Sequence, residues 1–213
     1  MDHSNEHANR RHDPSRVLAL TDGVVAIILT LLVLELHVPE LAGGQGLREA
    51  VREIRPSFTA FLLSFIIVAI AWAVHRDLFV LIRHTDRALV WLNLTYLLPL
   101  CLIPFGASLL SRYDREPTAL RIYGLILVAM TLTRLATWVY VTGHAHLLSA
   151  PVDPDSRRWG IVLITVPLAG YAAAMVLATD FPRFSLAIYT IAPIAYFAGM
   201  LLARRAPDLE AAG

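Results

Sequence analysis

The sequence predicts an all-α, polytopic membrane protein with six transmembrane helices. Hydrophobic residues make up 57% of the 213 residues and charged residues only 16%, a balance that favours lipid over water as the surrounding solvent. A helix needs about 20 predominantly apolar residues to cross the hydrocarbon of a bilayer. Six stretches of this kind occur, at 17–36, 58–81, 88–110, 119–141, 160–179 and 184–203.

Composition and motifs exclude several classes of function. The net charge is only +1 and the chain has no basic patch, so we expect no nucleic-acid partner. A single cysteine, Cys101, allows neither an intrachain disulfide nor a CxxC site. The sequence contains no HExxH or GxSxG motif, and no second membrane-embedded carboxylate is placed to pair with Asp22. We therefore expect no enzyme, no metal site and no cofactor.

The chain divides into a polar tail at 1–15, a membrane domain at 16–205 and a short tail at 206–213. The first span is too long for a signal-peptide core and lacks an A-x-A cleavage site, which indicates a retained helix. The longest connection, 35–57, contains glycines and a possible short amphipathic helix at 47–54. No internal repeat is visible, so any function belongs to the helical bundle.

Arginines near the span ends favour an orientation with both termini in the cytoplasm. In that orientation the inner side carries ten arginines and the outer side seven, with Arg134 left out because it lies within the fourth span. Positively charged loops are preferentially retained on the cytoplasmic side. The bias is small, but it favours both termini inside. Every basic residue is arginine, because the sequence contains no lysine, which suggests a bacterial genome. We therefore expect a multi-pass protein of a bacterial inner membrane.

The first span carries an aspartate inside its apolar run. Asp13-Pro14 is typical of a helix start, and Asp22 follows about five residues inside the membrane. A carboxylate there costs up to about 2.5 to 3.5 kcal/mol on insertion scales, so it should face protein or water. Partners at a similar depth are Trp72, His75, Arg76, Asn93 and, from the fourth span, Arg134. Such a cluster either holds helices together or takes part in transport.

A second face of the first span is an apolar stripe broken by one hydroxyl. At 100° per residue, Ile27, Thr30, Leu31 and Leu34 share an arc of about 100°, and Asp22 points about 130° away from its centre. Ordinary helix packing, lipid contact and the lining of a pore all fit this pattern.

The first span also resembles the signature of the transmembrane protein 175 family of potassium channels, which reads Arg, three residues, Phe-Ser-Asp. Here Arg16 and Asp22 match, while Leu20 and Thr21 replace the phenylalanine and serine. Further similarity lies in 72–75, 91–94 and 102–105, so the resemblance covers about the first half of the chain. Helices four to six carry no recognised motif.

The resemblance implies a homotetramer in which the first helix of each subunit lines a central pore for K⁺. The constriction would consist of Ile27, Leu31 and Leu34, with Thr30 on the same wall as a selectivity hydroxyl. The sequence contains no TVGYG-like filter, so a ring of apolar side chains would gate by dewetting.

The same resemblance implies a polar network behind the pore helix, made of Arg16, Asp22, Trp72, His75 and Asn93. His75 is either a pH-sensing residue or a hydrogen-bonded structural histidine. One alternative function is a small proton-coupled secondary transporter that uses Asp22, His75 and Arg134. Another is a purely structural membrane protein without ion flux.

Overall fold

The structure is a computed structural model that describes residues 13–36 and 46–210, with Ala50 and residues 200–210 as backbone only. The tail at 1–12, the connection at 37–45 and residues 211–213 lie outside the described residues. The described chain forms eight α-helices: α1 Ser15–Leu34, α2 Leu47–Glu53, α3 Arg55–Val80, α4 Arg87–Cys101, α5 Ile103–Arg112, α6 Pro117–Gly143, α7 Pro154–Leu177 and α8 Pro182–Glu210.

The predicted fold class is confirmed. Five stretches are long and apolar enough to cross a membrane: α1, α3, α4 with α5, α6 and α7. The sixth predicted span coincides with the 29-residue helix α8, and its crossing stays a prediction. Helix α8 extends to Glu210, past the predicted start of the tail at 206. Helix α2 matches the expected amphipathic helix, and α3 begins at Arg55, three residues before the predicted span.

The third span, predicted as one continuous stretch at 88–110, is broken into two helices. Helix α4 ends at Cys101 and α5 begins at Ile103, with a turn at Leu102 between them. Pro99 lies inside α4 and Pro104 in the first turn of α5. Because proline has no backbone N–H and its ring crowds the preceding turn, two prolines five residues apart interrupt the helical hydrogen bonds.

Helix ends are fixed by acidic side chains. The Asp13 carboxylate accepts from the N–H of Ser15, the first residue of α1, at 2.8 Å. Asp86 accepts from the Leu89 N–H at 2.8 Å and caps α4, and Asp153 accepts from the Ser156 N–H at 2.9 Å and caps α7. These hydrogen bonds lower the pKa values of Asp13 and Asp153.

One apolar core joins the helices into a single bundle. Its centre is formed by α3, α5 and α6, with Tyr123 and Tyr189 among the fully buried side chains. Helix α6 packs against α7, which packs against α8, while α1 packs along α3, α4 and α5 at the edge. Two loops at one end are bonded to each other, since the Arg83 N–H donates to the Leu147 carbonyl at 2.7 Å. Val17 and Leu18 of α1 pack against the apolar cluster beside these loops. The α3–α4 and α6–α7 loops and the start of α1 therefore lie at the same end of the bundle.

Candidate pore helix and its polar anchor

Helix α1 has one face buried in its own bundle. The buried residues are Thr21, Val25, Ile28 and Leu32, spaced so that they form one continuous stripe along a helix. They pack against α3, α4 and α5. The helix is thus held by its subunit along a single narrow line.

The predicted pore stripe lies on the other side of α1. Ile27 is 60% exposed and Leu34 69% exposed, and Leu31 and Thr30 are exposed too. The centre of this stripe lies about 140° around the helix from the centre of the buried face. The Thr30 hydroxyl donates to the Ile27 carbonyl at 2.7 Å. Its oxygen lone pairs are thereby left free to accept from the exposed side.

Asp22 is bound by a tryptophan from α3. The Trp72 indole N–H donates to Asp22 Oδ1 at 2.7 Å, a short hydrogen bond of the kind made to an ionised acceptor. The Arg76 guanidinium lies over the same indole, 5.5 Å from the ring centroid, and 3.9 Å from Asp77. A row of charged and aromatic side chains thus runs from α1 along α3.

Asn93 lies at the same level but bonds to Thr21, the neighbour of Asp22. Asn93 Nδ2 donates to Thr21 Oγ1 at 3.1 Å, and the Thr21 hydroxyl lies 3.1 Å from the Val17 carbonyl. Both side chains are fully buried. This bond between α1 and α4 was not predicted, and the hydroxyl at the second position of the Leu-Thr-Asp triplet was the signal for it.

In the described part of the chain, neither His75 nor Arg16 forms a hydrogen bond or an ion pair with Asp22. The His75 ring is buried, stacked on Tyr96 at 5.0 Å between centroids and close to Phe79 at 4.5 Å. Arg16 is exposed and lines a groove with Asn93 and Asp13. The predicted network is therefore divided into a Trp72–Asp22 pair, a Thr21–Asn93 pair, an aromatic stack and a surface arginine.

Arg134 does not join this cluster either. Its Nη2 donates to the Tyr196 hydroxyl of α8 at 3.0 Å, and its guanidinium lies 5.8 Å from the Tyr196 ring centroid. Among the described residues, no hydrogen bond or ion pair joins the three residues of the transporter hypothesis: Asp22 bonds to Trp72, His75 stacks on Tyr96, and Arg134 bonds to Tyr196.

Fold and geometry define the class of protein first: an all-α, multi-pass membrane protein whose first helix is anchored on one face and exposed on the other. Comparison with known proteins then narrows the class. The family model of the endosomal/lysosomal potassium channel TMEM175 matches residues 16–104. A Streptomyces collinus protein named as a potassium channel is 33% identical over 189 residues, which cover 87% of this chain and 92% of that protein.

The human endosomal/lysosomal proton channel TMEM175 is 26% identical over 144 residues, 67% of this chain and 29% of the human protein. The crystal structure of a lysosomal potassium-selective channel TMEM175 homolog from Chamaesiphon minutus superposes with a TM-score of 0.77. It has 27% sequence identity and covers 87% of this chain and 96% of that one. The chain belongs to the TMEM175 family, and its relatives are ion channels rather than enzymes. The resemblance found in the sequence is confirmed.

Proposed function

We propose that this chain is one subunit of a tetrameric, potassium-conducting cation channel whose pore is lined by α1. The observation that carries the proposal is the exposed stripe of Ile27, Thr30, Leu31 and Leu34, opposite the face that α1 buries in its own subunit. One helix cannot enclose a pore, so a pore made of α1 requires several copies around an axis. The names of the Streptomyces and Chamaesiphon relatives support K⁺ as the permeant ion.

The chemistry of the stripe supports an apolar gate. A ring of isoleucine and leucine side chains excludes water when it is narrow and admits a hydrated cation when the helices move apart. Thr30 supplies the one polar atom of this wall, a hydroxyl oxygen whose proton is already donated to its own helix. Such an oxygen is a ligand for a partly dehydrated cation.

The polar side chains behind α1 would hold the pore helix in place. The Trp72–Asp22 and Thr21–Asn93 bonds join α1 to α3 and α4 near its inner end. Arg16 would extend this network at the surface, and His75 would support it from the α3–α4 interface. We expect Asp22→Ala to reduce assembly or expression more than conduction by the channels that form.

The arrangement of the bundle supports the predicted membrane orientation. The start of α1 and the α3–α4 and α6–α7 loops share one end, and the arginines near that end outnumber those near the other. The positive-inside tendency then supports cytoplasmic termini in a bacterial inner membrane. We retain 16–205 as the channel domain, with cytoplasmic tails at 1–15 and 206–213.

Ion flux into liposomes tests this function. Purified protein is reconstituted, and K⁺ and Na⁺ uptake are compared for the wild type and for Leu31→Asn. An amide in place of leucine wets the constriction, and a barrier lowered by about 1.4 kcal/mol raises the rate about tenfold. The matched control is Leu132→Asn on α6, because Leu132 is 47% exposed and Leu31 is 43% exposed.

The outcomes separate the candidate functions. K⁺-favouring flux that rises in Leu31→Asn and not in Leu132→Asn supports the channel and its constriction. Equal flux in both variants and the wild type contradicts the constriction. Saturating, proton-coupled flux supports the transporter instead. A proton-sensitive dye in the same liposomes detects proton passage, since the human relative is named as a proton channel. Folded, oligomeric protein without flux contradicts both.

A further inference from the structure

We infer that a partly open cavity in each subunit, with no α1 residue in its lining, binds a small monovalent anion such as chloride at Arg134. The cavity has a volume of about 50 Å³ and lies among α3, α4, α6, α7 and α8. Its wall includes Ile67, Met130 and Pro167, with Arg134 as its cation. This inference does not depend on the proposed pore.

Arg134 is a charge deep within a span. It lies seventeen residues after the start of α6 and nine before its end, so about 14 Å of helix separates it from the nearer end. A guanidinium at this depth is costly unless it is paired or hydrated. Arg134 has no ion pair among the described residues, unlike Arg76, which pairs with Asp77, and Arg158, which pairs with Asp155.

The guanidinium also has an unused donor. One Arg134 nitrogen bonds to the Tyr196 hydroxyl, but the buried Nε–H has no acceptor in the described structure. Unsatisfied buried donors are uncommon in folded proteins, and the Tyr196 ring supplies only a weak attraction. A negatively charged acceptor in the cavity would therefore neutralise the charge of Arg134 and accept a hydrogen bond from its Nε–H.

The size and polarity of the cavity select the class of ligand. A cavity needs about 10 to 15 Å³ to hold a water molecule, so 50 Å³ holds a few water-sized particles, which is the size of a halide ion with little of its hydration. The wall is mostly aliphatic and also includes Thr131 and three tyrosines, Tyr96, Tyr171 and Tyr196. Since an apolar wall cannot replace the water lost by a strongly hydrated divalent anion, bromide and chloride fit better than sulfate.

A stability titration tests the site. Detergent-purified protein is exchanged into gluconate, and the thermal midpoint is followed as bromide, chloride or sulfate replaces gluconate at constant ionic strength. A ligand that binds the folded state raises the midpoint in a saturable way. We expect bromide and chloride to raise the midpoint and sulfate to leave it unchanged. In Arg134→Gln the apparent halide affinity should fall about tenfold or more, because a charge-assisted donor is lost.

The control variant is Arg121→Gln, on the same helix. Arg121 is exposed and bonds to Thr179 Oγ1 at 2.7 Å and, at 3.4 Å, to the Met175 carbonyl, so its loss should leave the halide response intact. If Arg134→Gln does not fold, Tyr196→Phe provides a second test. It keeps the guanidinium, so the halide response should remain. A crystal grown in bromide should show an anomalous peak at hydrogen-bonding distance from Arg134 Nε. Absence of that peak, or the same midpoint shift in Arg134→Gln as in the wild type, overturns the inference.

Discussion

The carboxylate of Asp22 shows how the subunit tolerates a charge in its first helix. It receives the Trp72 indole N–H at 2.7 Å, so part of its lost hydration is replaced by a short, charge-assisted bond. The indole also lies under the Arg76 guanidinium. The anion is thus stabilised by a neutral donor that is itself next to a cation.

Trp72→Phe tests this bond because it keeps an aromatic ring and removes the donor. We expect a loss of about 1 kcal/mol of unfolding free energy, since Asp22 is exposed within the subunit and bonds of this kind are weakened by solvent. Thermal unfolding in detergent measures it. Trp91→Phe, at an exposed indole of α4, should show no comparable loss. Equal midpoints for the wild type and Trp72→Phe would remove Trp72 from the anchor.

The Thr21–Asn93 bond is fully buried and should cost more to break. Asn93→Leu leaves the Thr21 hydroxyl without its amide donor, and we expect a loss of about 1 to 3 kcal/mol. A double-mutant cycle with Thr21→Val isolates the interaction, because the double variant removes both polar partners. The double variant should be less destabilised than the sum of the two single variants. Strict additivity would show that the two side chains do not interact.

The depth of each polar side chain along its helix could be inferred from the sequence. The direction in which it points around the helix, and therefore its partner, could not. Asp22, Trp72 and Asn93 were expected at one level, and they lie at one level. Asn93 nevertheless bonds to Thr21, which differs from Asp22 by one residue and about 100° around the helix. The partner of Arg134 depended on how α8 packs against α6, and no motif in the second half of the chain indicates that packing.

Among the helical elements, α4 begins at a cap that responds to acid. Burial favours a raised pKa for Asp86, but the hydrogen bonds from Tyr140 and the Leu89 N–H, together with nearby His146 and His144, outweigh it and lower the pKa. Tyr140 Oη donates to Asp86 Oδ2 at 2.6 Å. Asp86 therefore ties the start of α4 to the end of α6.

This lowered pKa predicts the sign of the pH dependence. Because the unfolded chain binds the proton more readily, the contribution of Asp86 is fully present above the unfolded-state pKa, near pH 4, and is lost as the pH falls through the folded-state value. Asp86→Asn keeps a capping oxygen but does not titrate. The stability difference between wild type and Asp86→Asn should shrink as the pH is lowered from 6 to 3, measured by thermal unfolding. The control is Asp180→Asn at an exposed carboxylate, and a pH-independent difference for Asp86→Asn would contradict the linkage.

Helix α6 packs so closely against α7 and α8 at Gly124 that this position has no room for a side chain. A Cβ at Gly124 would overlap Tyr189 Oη and Met175 Cγ, and Tyr189 Oη donates to the Leu120 carbonyl at 2.9 Å. We expect Gly124→Ala to lower stability by about 1 to 3 kcal/mol through overpacking. Gly170→Ala is the matched control, because its Cβ would meet Ile188 Cγ2 at 3.6 Å, an ordinary contact. Thermal midpoints compare the two, and equal midpoints would contradict the close packing.

Span positions were predictable because hydrophobic length is a property of local sequence. The break at Leu102 was not, since an apolar run looks the same whether its prolines bend the helix or end it. Pro99 and Pro104 were visible in the sequence, and their spacing was the available signal. The angular pattern placed Ile27, Thr30, Leu31 and Leu34 on one face, and all four are exposed in the subunit, but only the bundle shows which arc of α1 faces away from it. Their place in a pore stays a prediction.

The exposed face of α1 either contacts lipid or contacts other subunits of an assembly. In a single subunit, large apolar residues on α1 and on α7 are exposed alike, and a bilayer would cover both equally well. The two helices would differ in their distance from the axis of an oligomer. If α1 surrounds an axis, its stripe lies within reach of the same stripe in other copies, whereas an outer face of α7 meets only lipid.

Cysteine cross-linking distinguishes these positions. In a Cys101→Ser background, which removes the exposed native thiol, Leu34→Cys places a thiol on α1 at a 69% exposed position and Val176→Cys places one on α7 at a 75% exposed position. Disulfides need Cα atoms within about 7 Å. Around a narrow axis, Leu34→Cys should therefore form covalent dimers in native membranes on mild oxidation, and Val176→Cys should not. Cross-linking at Val176 alone would place the subunit contact on α7 and would contradict a pore built from α1.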